Sequence, residues 1–192
     1  MNHALVQKAL IYGAGCGINS VAPESATDAQ HVIGVMNMGK IEARLKELGI
    51  EFPNPTPPRG NFLPFRREGS LVFLSGQICE WNGAVTCEGA VGDGGVSVEA
   101  AAQAARVCAI RLLYALKLAC DGDLDRVRTI IRLTGYVNCV PGFAWSPLVI
   151  NGATQLFVDV FGEAGRHART AIGVSGLPGN ASAEVEAIVA VD

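Results

Sequence analysis

The stretch from Arg169 to Val191 constrains the fold of this chain more than any other. Apolar residues alternate on both sides of Gly176-Leu-Pro-Gly-Asn180, a cluster that supplies the left-handed and fixed-φ positions of a tight connection. The pattern predicts a strand, a turn and a strand. Glu184 and Glu186 are the only charged residues between Ile172 and Val191. Two residues apart on a strand, they share a face, and hairpin pairing would set them roughly opposite Arg169 and Ala171. Two readings fit such a meeting. Arg169 is a structural partner of the glutamates, or its planar fork holds a ligand carboxylate while a glutamate handles a water or a proton.

Upstream, the periodicities alternate between strand and helix. Ile41, Leu45 and Leu48 recur at helical spacing within a short helix over 38–49 that stops at Gly49, and an extended proline-rich linker follows from Pro53 to Pro58. Strands are expected at about 61–66 and 70–78, with a hairpin arm at Trp81-Asn-Gly83. Ser97 can cap a long helix ending near Gly122, with Val98, Ala101, Ala105, Leu112 and Leu116 along one stripe. Residues 125–138 read as a strand with Val127, Thr129, Ile131, Leu133 and Val137 on one face. Arg126, Arg128, Ile130, Arg132, Thr134 and Tyr136 form the other, a solvated or intersubunit face. Ser146-Pro147 opens a second long helix. Two long helices on one face of a mixed sheet of about six strands make an α+β domain.

The chain of 192 residues is long enough to bury a core without a metal or disulfide. Hydrophobic residues make up 49% and charged residues 17%, a shortage of charge that suits a chain covering part of its surface in an oligomer. Net charge is −3 with no run of Lys or Arg, which argues against a nucleic-acid surface. Cys16, Cys79, Cys87, Cys108, Cys120 and Cys139 include no Cys-x-x-Cys pair, so neither a zinc site nor a redox dithiol is indicated. Cys108 and Cys120 read as small apolar residues. Free thiols in this number fit a cytoplasmic protein. No stretch reaches the length of a membrane span, and no metal or cofactor is expected.

Residues 1–37 lack a sustained period and read as an extension of uncertain order. Tyr12-Gly-Ala-Gly15-Cys-Gly17-Ile18 falls short of a dinucleotide fingerprint, since Ile18 stands where its third glycine belongs. A signal peptide ending near Ala22 is diluted by glycines and Asn19. Asp121, Asp123 and Asp125 lack calcium-loop spacing and read as turn and cap residues. His167 reads as a loop residue that shares the face of Arg169 only if the strand begins early.

Four motifs in order resemble the RidA/YjgF family of enamine/imine deaminases, which also carries an older endoribonuclease L-PSP label. They are Leu71-Val-Phe-Leu-Ser75-Gly-Gln77, Asn151 near a helix start, Arg169-x-x-Ile-x-Val-x-x-Leu-Pro178, and Glu184-Val-Glu-Ala-Ile188. The likeness covers roughly 58–191, within a single domain at 38–192 to which the helix at 38–49 is an addition. The resemblance implies a chorismate-mutase-like α+β fold and a homotrimer with clefts between subunits. It implies hydrolysis of 2-enamine or 2-imino acids to 2-keto acids and ammonia. Arg169 would anchor the carboxylate and Glu184 position the water, while Phe62, Ser75, Gly76, Asn151 and Ala171 line the cleft and Glu186 is structural.

The departures bear on substrate. Phe62 in Gly60-Asn-Phe62-Leu-Pro stands where the family usually has a tyrosine, so the aromatic wall remains without its hydroxyl. Ala171 stands where a cysteine is frequent. The chain thus resembles a longer, poorly characterised branch, and a noncatalytic trimer that binds small carboxylates is the alternative reading. RNA cleavage ranks below both, because no basic groove is evident.

Overall fold

The computed structural model of the protein describes residues 38–57 and 59–192. The expectations for 1–37, Cys16 included, lie outside the described residues. Good helix formers and clear turn chemistry set the element order. Helix α1 (Lys40–Glu47) precedes β1 (Phe65–Glu68), β2 (Leu71–Ile78), and a short arm of β3 (Glu80–Trp81) and β4 (Ala84–Val85). Then come α2 (Val98–Ala119), β5 (Val127–Asn138), α3 (Ser146–Phe161), β6 (Ala168–Val174) and β7 (Ala183–Val191).

Local chemistry explains the boundaries. Ser97 Oγ accepts from Ala100 N at 3.1 Å and caps α2. The β3–β4 arm turns at Asn82 and Gly83, whose φ values of 50° and 90° match a type I′ hairpin. Asp125 caps α1 from a distance, accepting from Lys40 N and Ile41 N at 2.8 Å each, and Asp123 accepts from Asp125 N at 2.9 Å. These aspartates are the cap and turn residues their spacing suggests.

The main sheet has five strands in the order β1-β2-β7-β5-β6, while β3 and β4 pair separately. All neighbours are antiparallel except β5 and β6, which are parallel and need the helical crossover that α3 supplies. Both long helices cover one face of the sheet. The core between them holds Leu112, Leu116, Ile130, Leu133, Leu156 and Phe157, all essentially fully buried. Each contributes about 1.5–3 kcal/mol relative to exposure. Cys108 and Cys120 are buried as small apolar residues.

Two expectations need correction. β6 does not pair with β7; β5 lies between them. The reason is apolar content. Ala183, Val185, Ala187, Val189 and Val191 give β7 a fully buried face suited to the sheet interior, whereas β6 is largely exposed or half-buried and takes the edge. In β5, register shifts between Val127 and Thr129 and between Ile130 and Arg132 interrupt the alternation. Ile130 is therefore buried and Ile131 exposed, opposite to the even alternation. Arg126, just before β5, and the arginines Arg128 and Arg132 of the strand find partners within the chain. Arg126 binds Asp121 at 2.8 Å, Arg128 meets Asp192 at 3.4 Å, and Arg132 donates to Thr170 Oγ1 at 3.2 Å.

The face of the sheet away from the helices carries the exposed apolar residues Phe73 and Ile172, at 42% and 46%, together with Tyr136 and Glu186. Among the described residues no helix is long and apolar enough to cross a membrane.

Candidate functional site

Glu184 sits near the start of β7, beside a break in the β2 ladder. The register of β2 against β7 shifts between Leu74 and Gln77, and Gly76 lies in that bulge. A side chain at Gly76 would collide with Glu184 Oε1, so the glycine makes room for the carboxylate. Neighbouring Ser75 faces elsewhere: its hydroxyl donates to Leu63 O at 2.7 Å and its N–H to Pro64 O at 3.0 Å. These bonds fix the segment that carries Phe62. Burial raises the Glu184 pKa from its ordinary value, and the negative charge of Glu186 adds to the rise. Glu186 itself accepts from the Tyr136 hydroxyl at 3.3 Å.

Glu184, Gly76 and Phe62 line one pocket of about 450 Å³ that also reaches Gln77, Arg111 and Tyr114. Below them is an ion network that the sequence did not reveal. Glu80, only 3% exposed, is held by Arg59 at 2.7 Å and by Arg111 at 3.2 Å. Arg111 also donates to Gln77 Oε1 at 3.0 Å. The available signal was Arg111 itself, the only charge between Arg106 and Lys117 on an otherwise apolar stretch of α2.

Arg169 belongs to a second cluster. Its Nη1 donates to Asn151 Oδ1 at 2.8 Å and to Thr154 Oγ1 at 3.0 Å, both on α3. Among the described residues its Nε and Nη2 make no hydrogen bond, and the side chain is exposed. His167 bonds Gly165 O through Nδ1 at 2.8 Å and Thr154 Oγ1 through Nε2 at 3.3 Å. Since a carbonyl only accepts, Nδ1 carries the proton, and Nε2 of a neutral ring accepts from Thr154. Burial lowers the His167 pKa, and the Arg169 charge lowers it further, which agrees with a neutral ring. The histidine thus orients Thr154 beneath the arginine. Ala171 follows on β6, half-buried opposite Gly135.

The expected meeting of Arg169 with Glu184 does not occur within one chain. Arg169 pairs in register with Leu133 and Glu184 with Tyr136. Leu133 faces the helices, so Arg169 points that way, whereas Glu184 alternates with buried Ala183 and Val185 and faces away from them. The Glu184 cluster offers a carboxylate of raised pKa beside a pocket, and the Arg169 cluster offers an oriented guanidinium whose Nε and Nη2 make no hydrogen bond among the described residues.

Three kinds of likeness bear on this arrangement. Residues 42–189 match the family model described as "YjgF/chorismate_mutase-like, putative endoribonuclease". Protein TCP17 of Trypanosoma cruzi is 37% identical over 158 residues, which span 82% of this chain and 98% of that protein. A crystal structure of a protein of unknown function from Agrobacterium tumefaciens is 42% identical with a TM-score of 0.74, covering 86% of this chain and 99% of its own. One from Shewanella oneidensis, which carries the same endoribonuclease description, is 31% identical, also with a TM-score of 0.74, over 79% and 99% of the two chains. The five-stranded sheet under two long helices, the bulge at Gly76 and the match over most of the described residues lead to one assignment: the chain belongs to the YjgF/chorismate-mutase-like family, the RidA/YjgF group its motifs resemble.

Proposed function

We propose that the protein hydrolyses reactive 2-imino acids, and the enamines in equilibrium with them, to 2-keto acids and ammonia. The observation that carries this reading is the half-buried Glu184 carboxylate of raised pKa, seated against Gly76 at the edge of a pocket. Water adds to the electrophilic C2 of the imine as Glu184 takes its proton. Glu184 returns that proton to nitrogen to give the carbinolamine, then carries the hydroxyl proton to the same nitrogen, so that the C–N bond breaks with release of ammonia and the oxygen is left as the keto group. Arg169 holds the substrate carboxylate through the fork left free by Asn151 and Thr154.

Because the two halves lie apart in one chain, the working cleft joins Arg169 of one copy to Glu184 of the next in a homotrimer. The exposed Phe73 and Ile172 on the uncovered sheet face support such packing. Light scattering is expected to give three times the 20.0 kDa chain mass, and a monomer at micromolar concentration would defeat the shared cleft.

The activity is tested by generating imino acids in place with an amino-acid oxidase and following keto-acid release against a trapping amine. Added protein is expected to lower the trapped fraction in proportion to its concentration. An unchanged trapped fraction across the panel would leave carboxylate binding without catalysis, the reading that the missing hydroxyl at Phe62 favours.

A further inference from the structure

We infer that the pocket beside Glu184 selects imino acids with bulky apolar side chains, an inference that rests on the deaminase reading and names its substrate class. The pocket measures about 450 Å³. At about 30 Å³ for each water-sized group, a substrate with an alanine- or serine-sized side chain would leave most of that space to solvent. A large branched or aromatic side chain would exclude it. The reacting carbon has to lie beside Glu184, and Glu184 is itself part of the pocket lining. A substituent on that carbon can therefore pass directly into the pocket.

The greater part of the pocket surface is apolar. Ile78 comes from β2, Tyr114 and Leu118 from α2, Pro178 from the turn before β7, and Pro55 and Pro57 from the linker. Proline fixes φ and gives the linker a stiff wall. Its position is pinned at several points. The Phe52 ring packs on Tyr114 with centroids 5.7 Å apart, and Lys117 Nζ lies 5.8 Å from the Phe52 centroid. Asn54 N donates to Asn82 Oδ1 at 2.8 Å. Arg59 is tied to Glu80 at 2.7 Å. A wall held in this way discriminates by shape, because it does not relax around a smaller group.

The charges in the pocket point to the same class. Arg59 and Arg111 are both directed at Glu80, so a charged substrate side chain would have to compete with a buried ion network for its partner. An apolar side chain disturbs none of these bonds.

The test uses the full-length protein, imines generated from phenylalanine, leucine, alanine and serine, and calorimetric binding of phenylpyruvate and pyruvate. Each methylene group in an apolar pocket discriminates by about tenfold or more. The kcat/KM for the phenylalanine- and leucine-derived imines is therefore expected to exceed that for the alanine-derived imine by at least about tenfold, with phenylpyruvate binding correspondingly tighter than pyruvate. Leu118→Trp, at a partly exposed position on the pocket wall, is expected to reduce that preference by about tenfold. Hydrolysis of all four imines at equal kcat/KM would overturn the pocket inference and leave deamination standing. Preferential phenylpyruvate binding without any imine hydrolysis would overturn deamination and leave the pocket. Absence of both would remove both, and a preference unmoved by Leu118→Trp would show that this pocket is not its source.

Discussion

Gly76 and Glu184 occupy one space: the hydrogen that glycine carries in place of a side chain is what lets the carboxylate sit against the bulge of β2. Gly76→Ala is expected to fold, because the group in its way is the far end of a flexible side chain and can swing aside. Displacing a reacting group by about 1 Å costs on the order of a hundredfold in rate, so imine hydrolysis should fall by about that factor. Circular dichroism with a single-turnover assay separates the two effects, and an alanine variant with parental activity would remove the role given to Glu184.

Glu184→Gln bears on pH. A carboxyl whose native pKa is raised binds more protons in the folded state than in the unfolded state at pH values between its two pKa values. Stability therefore falls as pH rises through that window. The amide is expected to flatten this part of the stability curve measured by urea unfolding. In the parent, kcat/KM should climb with pH along a limb whose midpoint is shifted upward from that of an ordinary glutamate, and in the variant that limb should disappear with most of the activity.

Arg169→Ala distinguishes a strut from an anchor. Its partners are the uncharged Asn151 and Thr154 and its side chain is exposed, so truncation strands no buried carboxylate. The expected loss of stability is within about 1 kcal/mol. Loss of a charge-assisted contact to the ligand is expected to weaken keto-acid binding by about 1.5–3 kcal/mol. Calorimetry with a small keto acid reads the second quantity, and unchanged affinity would refute the anchor.

Glu80 should behave in the opposite way. Removing one partner of a buried ion pair costs about 3–5 kcal/mol. Glu80→Ala is expected near the lower end, about 3 kcal/mol, because Arg111 keeps its bond to Gln77. Arg59 is mostly exposed, and Arg59→Ala should cost no more than about 1 kcal/mol. Urea midpoints of the two variants give the comparison.

The sequence was most readable where a pattern is local. Ser97 and Ala100, or Asn82 and Gly83, are close in the chain, and their roles follow from residue type and spacing. The alternation from Ala183 to Val191 likewise announces a strand with one buried face. It does not say which neighbours that strand will have, and a turn at Pro178–Asn180 suits a hairpin as well as a chain passing over β5. The bulge that exchanges Ile130 and Ile131 depends on β7, and the Glu80–Arg111 pair joins residues 31 apart. No periodicity within either segment contains that information. Gly76 and Glu184 could be placed together only through the resemblance of their motifs, since a bulge leaves no trace in residue alternation.

The position of β5 between β6 and β7 has a genetic consequence. Two chains, one carrying Arg169→Ala and the other Glu184→Gln, each retain the half that the other lacks. In a ring of head-to-tail contacts, random mixing pairs the intact halves at about a quarter of the clefts. Refolding the two impaired variants together is expected to restore about that fraction of parental turnover. Such rescue between defective alleles would occur only if neighbouring copies share each cleft.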